Sequence, residues 1–192
     1  MFIQTEATPN PAVLKFLPGR ELLKSGTREV RDANEAAASP LAAALFAVDG
    51  VTRAFFGIDF LTVTKAEDRD WSHLKAPILA AIMEHFTSGG PILREAARSG
   101  AGEGHDATVY EGDAAQIVAE IKDLLDTRIR PAVAQDGGDI TFERWDEASG
   151  VVYLHMRGAC SGCTSSSATL KAGVENMLKH YVPEVTGVEQ SL

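Results

Sequence analysis

Hydrophobic positions along the chain change their spacing several times, and each change marks an element. "MFIQTE" (1–6) and "AVLKFLPG" (12–19) read as short strands, and the turn-forming "TPNPA" separates them. Ser39 before Pro40 is an N-cap followed by proline at the first helical position, so "PLAAALFAV" is predicted as a short apolar helix ending near Asp49-Gly50. "VTRAFFGIDFLTVTKA" has the aromatic and β-branched content of a hairpin turning around Gly57. Trp71, Leu74, Ile78, Ile82 and Phe86 then fall on one helical face, with Pro77 as the expected true start of that helix. Ser88-Gly89-Gly90-Pro91 ends it.

Periodicity is lost after that. "SGAGEGHD" (99–106) is small, polar and Gly-rich, the composition of a flexible linker. It resumes at Asp113, where Gln116 three residues on suggests a capping box. Ile117, Ile121, Leu124, Leu125 and Ile129 form a helical stripe that Pro131 is expected to stop. "QDGGD" (135–139) is a sharp glycine turn. "ITFERW" and "VVYLHMR" alternate as strands and are joined through Ala148-Ser149-Gly150. Leu170, Val174, Met177, Leu178 and Tyr181 make a last helical stripe before Pro183, and "EVTGVEQ" reads as a final strand. The order α-β-β-α-β predicts helices on one face of a mixed sheet. The chain is thus expected to be α+β: two small α+β domains, 1–88 and 113–192, joined by a flexible Gly-rich linker, 89–112.

Composition narrows the function. Hydrophobic residues make up 45% and charged residues 23% of the 192, ordinary for a globular chain that buries a core. The net charge is −9, from 18 Lys+Arg against 27 Asp+Glu, with no basic cluster, which argues against nucleic acid as a partner. No apolar run reaches the length of a membrane span. "MFIQTEATPNP" has neither the features of a secretory signal nor those of an Arg- and Ser-rich organelle leader, so the expected location is cytoplasmic.

Both cysteines of the chain, Cys160 and Cys163, lie in "RGACSGCTSSSATL" (157–170). Two thiols three residues apart cannot staple a fold across distance, so this is a metal or redox motif rather than a disulfide framework. It lies between a predicted strand and a predicted helix. Unpaired N–H groups and partial positive charge at a helix start are expected to stabilise thiolates and lower their pKa. Gly158 and Gly162 leave room for an inorganic group, and small hydroxyls follow at Thr164 to Ser167.

Two thiolates do not complete a tetrahedral zinc site or a cubane cluster, which usually take four ligands. Three routes remain. Two chains each contribute a pair across a two-fold axis; other side chains complete the site within one chain; or the pair cycles between dithiol and disulfide. For the second route the histidines are His73, His85, His105, His155 and His180. Three lie outside this domain, and His180 is roughly 25 Å along the following helix at about 1.5 Å per residue. His155 is the least remote. The third route lacks an upstream βαβ unit, aromatic and proline residues around the motif, and enough chain after Cys163 for a thioredoxin-type fold. Thr164 excludes a C-x-x-C-H haem attachment. A symmetric dimer sharing a metal centre leads on these residues, with a structural zinc dimer and a thiol–disulfide oxidoreductase as alternatives.

"DGGDI", two strands and "RGACSGCTSSSATLKAGVENMLKHYVPEV" closely resemble the C-terminal domain of the NifU/Nfu iron–sulfur scaffold family. "MFIQTEATPNPAVLKFLPG" resembles the N-terminal domain of the Nfu branch. The resemblance implies that Cys160 and Cys163 bind an iron–sulfur cluster, commonly [4Fe–4S] with [2Fe–2S] as the other type, shared between the subunits of a homodimer. It implies that the cluster is labile, arrives from upstream assembly proteins and is handed to recipient apoproteins. The N-terminal domain has no cysteine and is read as an interaction or regulatory module.

Other features have plainer readings. "QDGGD" either shapes the surroundings of the cysteines or only connects helix to strand. Phe55, Phe56 and Phe60 are expected in the core, and "TPNP" as a turn. No paired-carboxylate, Ser/His/Asp or phosphate-loop signature is present, so no catalysis is expected.

Overall fold

The alternation around residues 1–65 and the helical stripes after it build an antiparallel sheet with helices against it. A computed structural model of the chain describes residues 2–94, 109–161 and 164–191; the predicted linker stretch 99–106 and Cys163 lie outside the described residues. The chain divides into two compact units, Met1–Gly102 and Glu103–Leu192, each with its own buried core.

In the first unit the order is β1 (Gln4–Ala7), β2 (Val13–Leu17), β3 (Arg28–Val30), α1 (Ala33–Ala36), α2 (Pro40–Phe46), β4 (Val51–Phe56), β5 (Leu61–Lys65) and α3 (Trp71–Ser88). The five strands pair antiparallel in the order β1-β2-β5-β4-β3. The "TPNP" turn is held by its own groups: Thr8 Oγ1 donates to Asn10 O, and Asn10 Oδ1 accepts the Ala12 N–H. Trp71 Nε1 donates to Pro11 O and ties the start of α3 to that turn. Ser39 caps α2 as expected, its Oγ accepting the Ala42 N–H. Phe55, Phe56 and Phe60 are buried; Phe55 lies 6.0 Å from the Phe60 ring, which Lys15 covers.

Two features of this unit correct the sequence reading. Helix α3 starts at Trp71 under an Asp70 cap, not at Pro77, which sits inside the helix. Proline removes only one donor, while Leu74, Ile78 and Ile82 stay buried in the core across it, and that burial carries the helix through. Strand β3 and helix α1 fall in 20–38, where no period had marked an element; both are too short to show one.

In the second unit, α4 (Gly112–Leu124) passes through a π-turn (Leu125–Ile129) into α5 (Arg130–Gln135). Pro131 therefore does not stop the helix. The wide turn resets the register, Arg130 N–H bonding back to Leu125 O, so the proline lies in the first turn of a new segment where its missing donor costs little. The Asp113–Gln116 capping box is not formed: the N-cap lies two residues earlier, at Glu111, with no side-chain cap, and Asp113 falls in the first turn. Strands β6 (Gly138–Asp146) and β7 (Val151–Gly158) make an antiparallel hairpin, and helix α6 (Thr164–Tyr181) returns the chain to β8 (Gly187–Ser191), parallel to β7. This is the predicted mixed sheet, in the order β6-β7-β8. Of the predicted α6 stripe, Val174 and Leu178 are buried and Leu170 packs beside them. Met177 and Tyr181 lie at the surface instead, 36% and 41% exposed, and Arg128 stacks over the Tyr181 ring.

Candidate metal centre at the cysteine loop

The register of the β6–β7 hairpin decides what surrounds Cys160. Gly138 pairs with Gly158 and Asp139 with Arg157. The "QDGG" turn before β6 and the cysteine-bearing turn after β7 therefore emerge side by side, although more than twenty positions separate Gly138 from Cys160 in sequence. Two hydrogen bonds shape the junction: Ala159 N–H donates to Gly137 O at 3.1 Å, and Ser161 N–H donates to Gly158 O at 3.1 Å. Gly137 and Gly158 have φ of 82° and 66°, left-handed values that favour glycine at both bends.

Cys160 is 6% exposed and belongs to the core of this unit. Its sulfur rests against Gly138: a Cβ at that position would lie 2.5 Å from Cys160 Sγ and 2.8 Å from Arg157 O. Burial, followed by the charges of Asp136 and Asp139, pushes the Cys160 thiol up to about 12. The expectation of a lowered thiol pKa is therefore overturned for Cys160. The residue lies in a turn four positions ahead of Thr164, the first residue of α6, and desolvation of a thiolate in the core costs more than that helix start returns.

Asp139 is a buried carboxylate, 4% exposed. Arg130 holds it with two bonds, Nε to Oδ1 at 2.8 Å and Nη2 to Oδ2 at 3.0 Å, and reaches Asp126 Oδ1 with Nη1 at 2.8 Å. The Ile140 N–H also donates to Asp139 Oδ1, at 2.9 Å. Sequence reasoning did not single out Arg130. A signal was available in "RIRP" and "DGGD", each putting a charge among apolar or glycine positions, but their pairing depends on how α5 meets β6.

Among the described residues of the second unit, no histidine joins this loop as a third ligand. His155 lies along β7 paired with Thr141, and His180 is exposed with its ring 4.9 Å from the Tyr181 ring. Among the described residues no group of three or more His, Cys, Asp and Glu side chains could hold a metal ion. No described helix is long and apolar enough to cross a membrane.

Two family models match the chain. Residues 3–89 match the description "Scaffold protein Nfu/NifU N terminal", and residues 121–189 match "NifU-like domain". The chain is 52% identical over 190 residues to NifU-like protein 4, mitochondrial, of Arabidopsis thaliana, covering 99% of this chain and 66% of that protein. It is 49% identical over 191 residues to the NFU1 iron-sulfur cluster scaffold homolog, mitochondrial, of Homo sapiens, covering 99% of this chain and 72% of that one. The chain thus spans about two thirds of the length of such relatives. A solution NMR structure of a NifU-like protein from Saccharomyces cerevisiae covers 50% of this chain and 86% of its own, with 26% identity and a TM-score of 0.46. The mitochondrial names of these relatives overturn the cytoplasmic expectation. The physical reason is that an address is carried by a separable segment, which the fold of two packed domains does not encode.

Proposed function

The chain belongs to the Nfu/NifU scaffold family, and on that premise we propose that it is an iron–sulfur cluster carrier whose Cys160 and Cys163 hold a labile [4Fe–4S] cluster between two copies of the chain. The observation that carries the reading is the placement of Cys160 on the turn that leaves Gly158 at the end of β7, ahead of α6, in the domain that matches the NifU-like family.

The donor set suits iron: thiolates are the usual ligands of such clusters, and four are the usual number. One chain supplies two, so a second copy supplies the others. The unit from 113 to 192 already has 7 Lys+Arg against 12 Asp+Glu, and four thiolates add further negative charge. Backbone donors and helix starts offset part of it, and a weakly enclosed anionic site favours release. The Cys160 sulfur must leave its place against Gly138 to meet the cargo, so the cargo competes with the protein's own packing. That competition fits a carrier that passes its cluster from assembly proteins to apoproteins, and no step of it requires catalysis by this chain.

The oxidoreductase reading fits less well. A buried thiol pushed up to about 12 is a poor attacking group. Anaerobic reconstitution is expected to give one [4Fe–4S] per two chains, with native mass spectrometry recording a dimer that carries iron and sulfide. Full loading of the Cys160→Ser, Cys163→Ser double variant would refute the ligand assignment. Insulin reduction by a preparation free of iron and sulfide would favour the redox alternative, and zinc without sulfide a structural metal dimer.

A further inference from the structure

We propose that Arg130 is a positioning residue for the cysteine loop: through its bidentate pair with buried Asp139 it fixes Gly138, the surface against which the Cys160 sulfur is held, and so sets how readily that sulfur comes free. The inference rests on the reading of Cys160 as a cargo ligand.

Asp139 occupies the middle of three consecutive buried positions of β6, Gly138 to Ile140. Stability alone would be served by an apolar side chain there. The Asp139 carboxylate is buried while its Arg130 partner is only half-buried; burying a charge costs desolvation, and apolar replacements of such pairs are often neutral or stabilising. What the ion pair supplies is direction. A guanidinium gripping both carboxylate oxygens at 2.8 and 3.0 Å allows one orientation of the strand start. The residue next to Asp139 is Gly138, and its Cβ space is already filled by Cys160 Sγ. The path from guanidinium to sulfur is therefore short: two hydrogen bonds, one peptide unit and one van der Waals contact.

The helix is shaped to deliver Arg130. A π-turn, a form that recurs at functional sites, ends immediately before it. Asp126, four residues earlier, steadies the outer side of the guanidinium at 2.8 Å. With both carboxylates in place, the guanidinium is held charged beyond its ordinary range.

The test separates orientation from stability. On a Cys163→Ser background, kept metal-free and anaerobic, only Cys160 can react with a maleimide. Arg130→Met is expected to speed labelling of the folded protein by about tenfold or more, because a buried carboxylate that has lost its guanidinium loosens the start of β6. The Arg130→Met, Asp139→Leu double variant is expected to recover thermal stability but not protection of the thiol. If the double variant recovers both, the pair is merely structural and the proposal is overturned; equal labelling in wild type and Arg130→Met overturns it as well. Should Arg130→Met not fold, Asp126→Asn removes only the outer, exposed partner; faster labelling there supports the proposal and an unchanged rate overturns it. In the full chain with both cysteines, the double variant is expected to lose iron and sulfide to a chelator faster than wild type. A wild-type chain that never takes up iron and sulfide would defeat the carrier reading alone, since the labelling comparison needs no cargo.

Discussion

Gly138 and Cys160 share one small volume, and that sharing yields the sharpest expectations for single residues. Gly138 has an ordinary backbone conformation, so its identity is a matter of space rather than torsion. Gly138→Ala would put a methyl group 2.5 Å from Cys160 Sγ, and overpacking of this kind costs about 1–3 kcal/mol. In urea denaturation the unfolding free energy of the second unit is expected to fall by that amount, with its midpoint moved to lower concentration. The thiol supplies a second expectation, in pH. Cys160 is raised from an ordinary 9.0 to about 12, so the folded chain keeps its proton where the unfolded chain releases it. Its contribution to stability is complete below about pH 9 and is lost as pH climbs through about 12. Cys160→Ala is therefore expected to flatten the stability profile over that range; a slope as steep as wild type would contradict a buried, protonated thiol.

At the level of elements, caps and breakers act through what they pack against. Ser39 caps α2 and also donates its hydroxyl to Ile92 O, 53 residues away. The one side chain thus starts a helix and fastens the segment after α3, where Leu93 is buried and Arg94 N–H reaches Ala38 O. Ser39→Ala is expected to cost about 1–3 kcal/mol, from a lost cap and a part-buried carbonyl left without its donor, measured as a lower unfolding midpoint of the first unit. The two prolines teach a related lesson. Pro77 and Pro131 read as helix boundaries by local rules, yet both helices continue past them. In α3 buried side chains on either side of the proline hold the helix together, and in the second unit a π-turn accommodates it.

For the whole molecule, the division into two separately buried cores sets the expected unfolding behaviour. Calorimetry of the full chain is expected to resolve two transitions, with Ser39→Ala lowering one and Gly138→Ala the other. A single transition moved equally by both changes would contradict independent cores. The proposed carrier role belongs to this scale too, because two thiols per chain become four only in an assembly.

The sequence alone determined the α+β class, every strand but β3, the main helices of the two units, and the cysteine motif with its family resemblance. Each of these is written in local periodicity, local turn chemistry or adjacent residues. Only the tertiary structure decided the partners. Whether "QDGGD" was a connector or part of the loop's surroundings could not be settled from spacing. The β6–β7 register settles it by placing Gly138 opposite Gly158 and within reach of Cys160. The same holds for Arg130 with Asp139, and for Met177 and Tyr181, which follow the α6 stripe yet face outward. A contact between distant positions depends on register and packing summed over many residues, and no short window of sequence contains that sum.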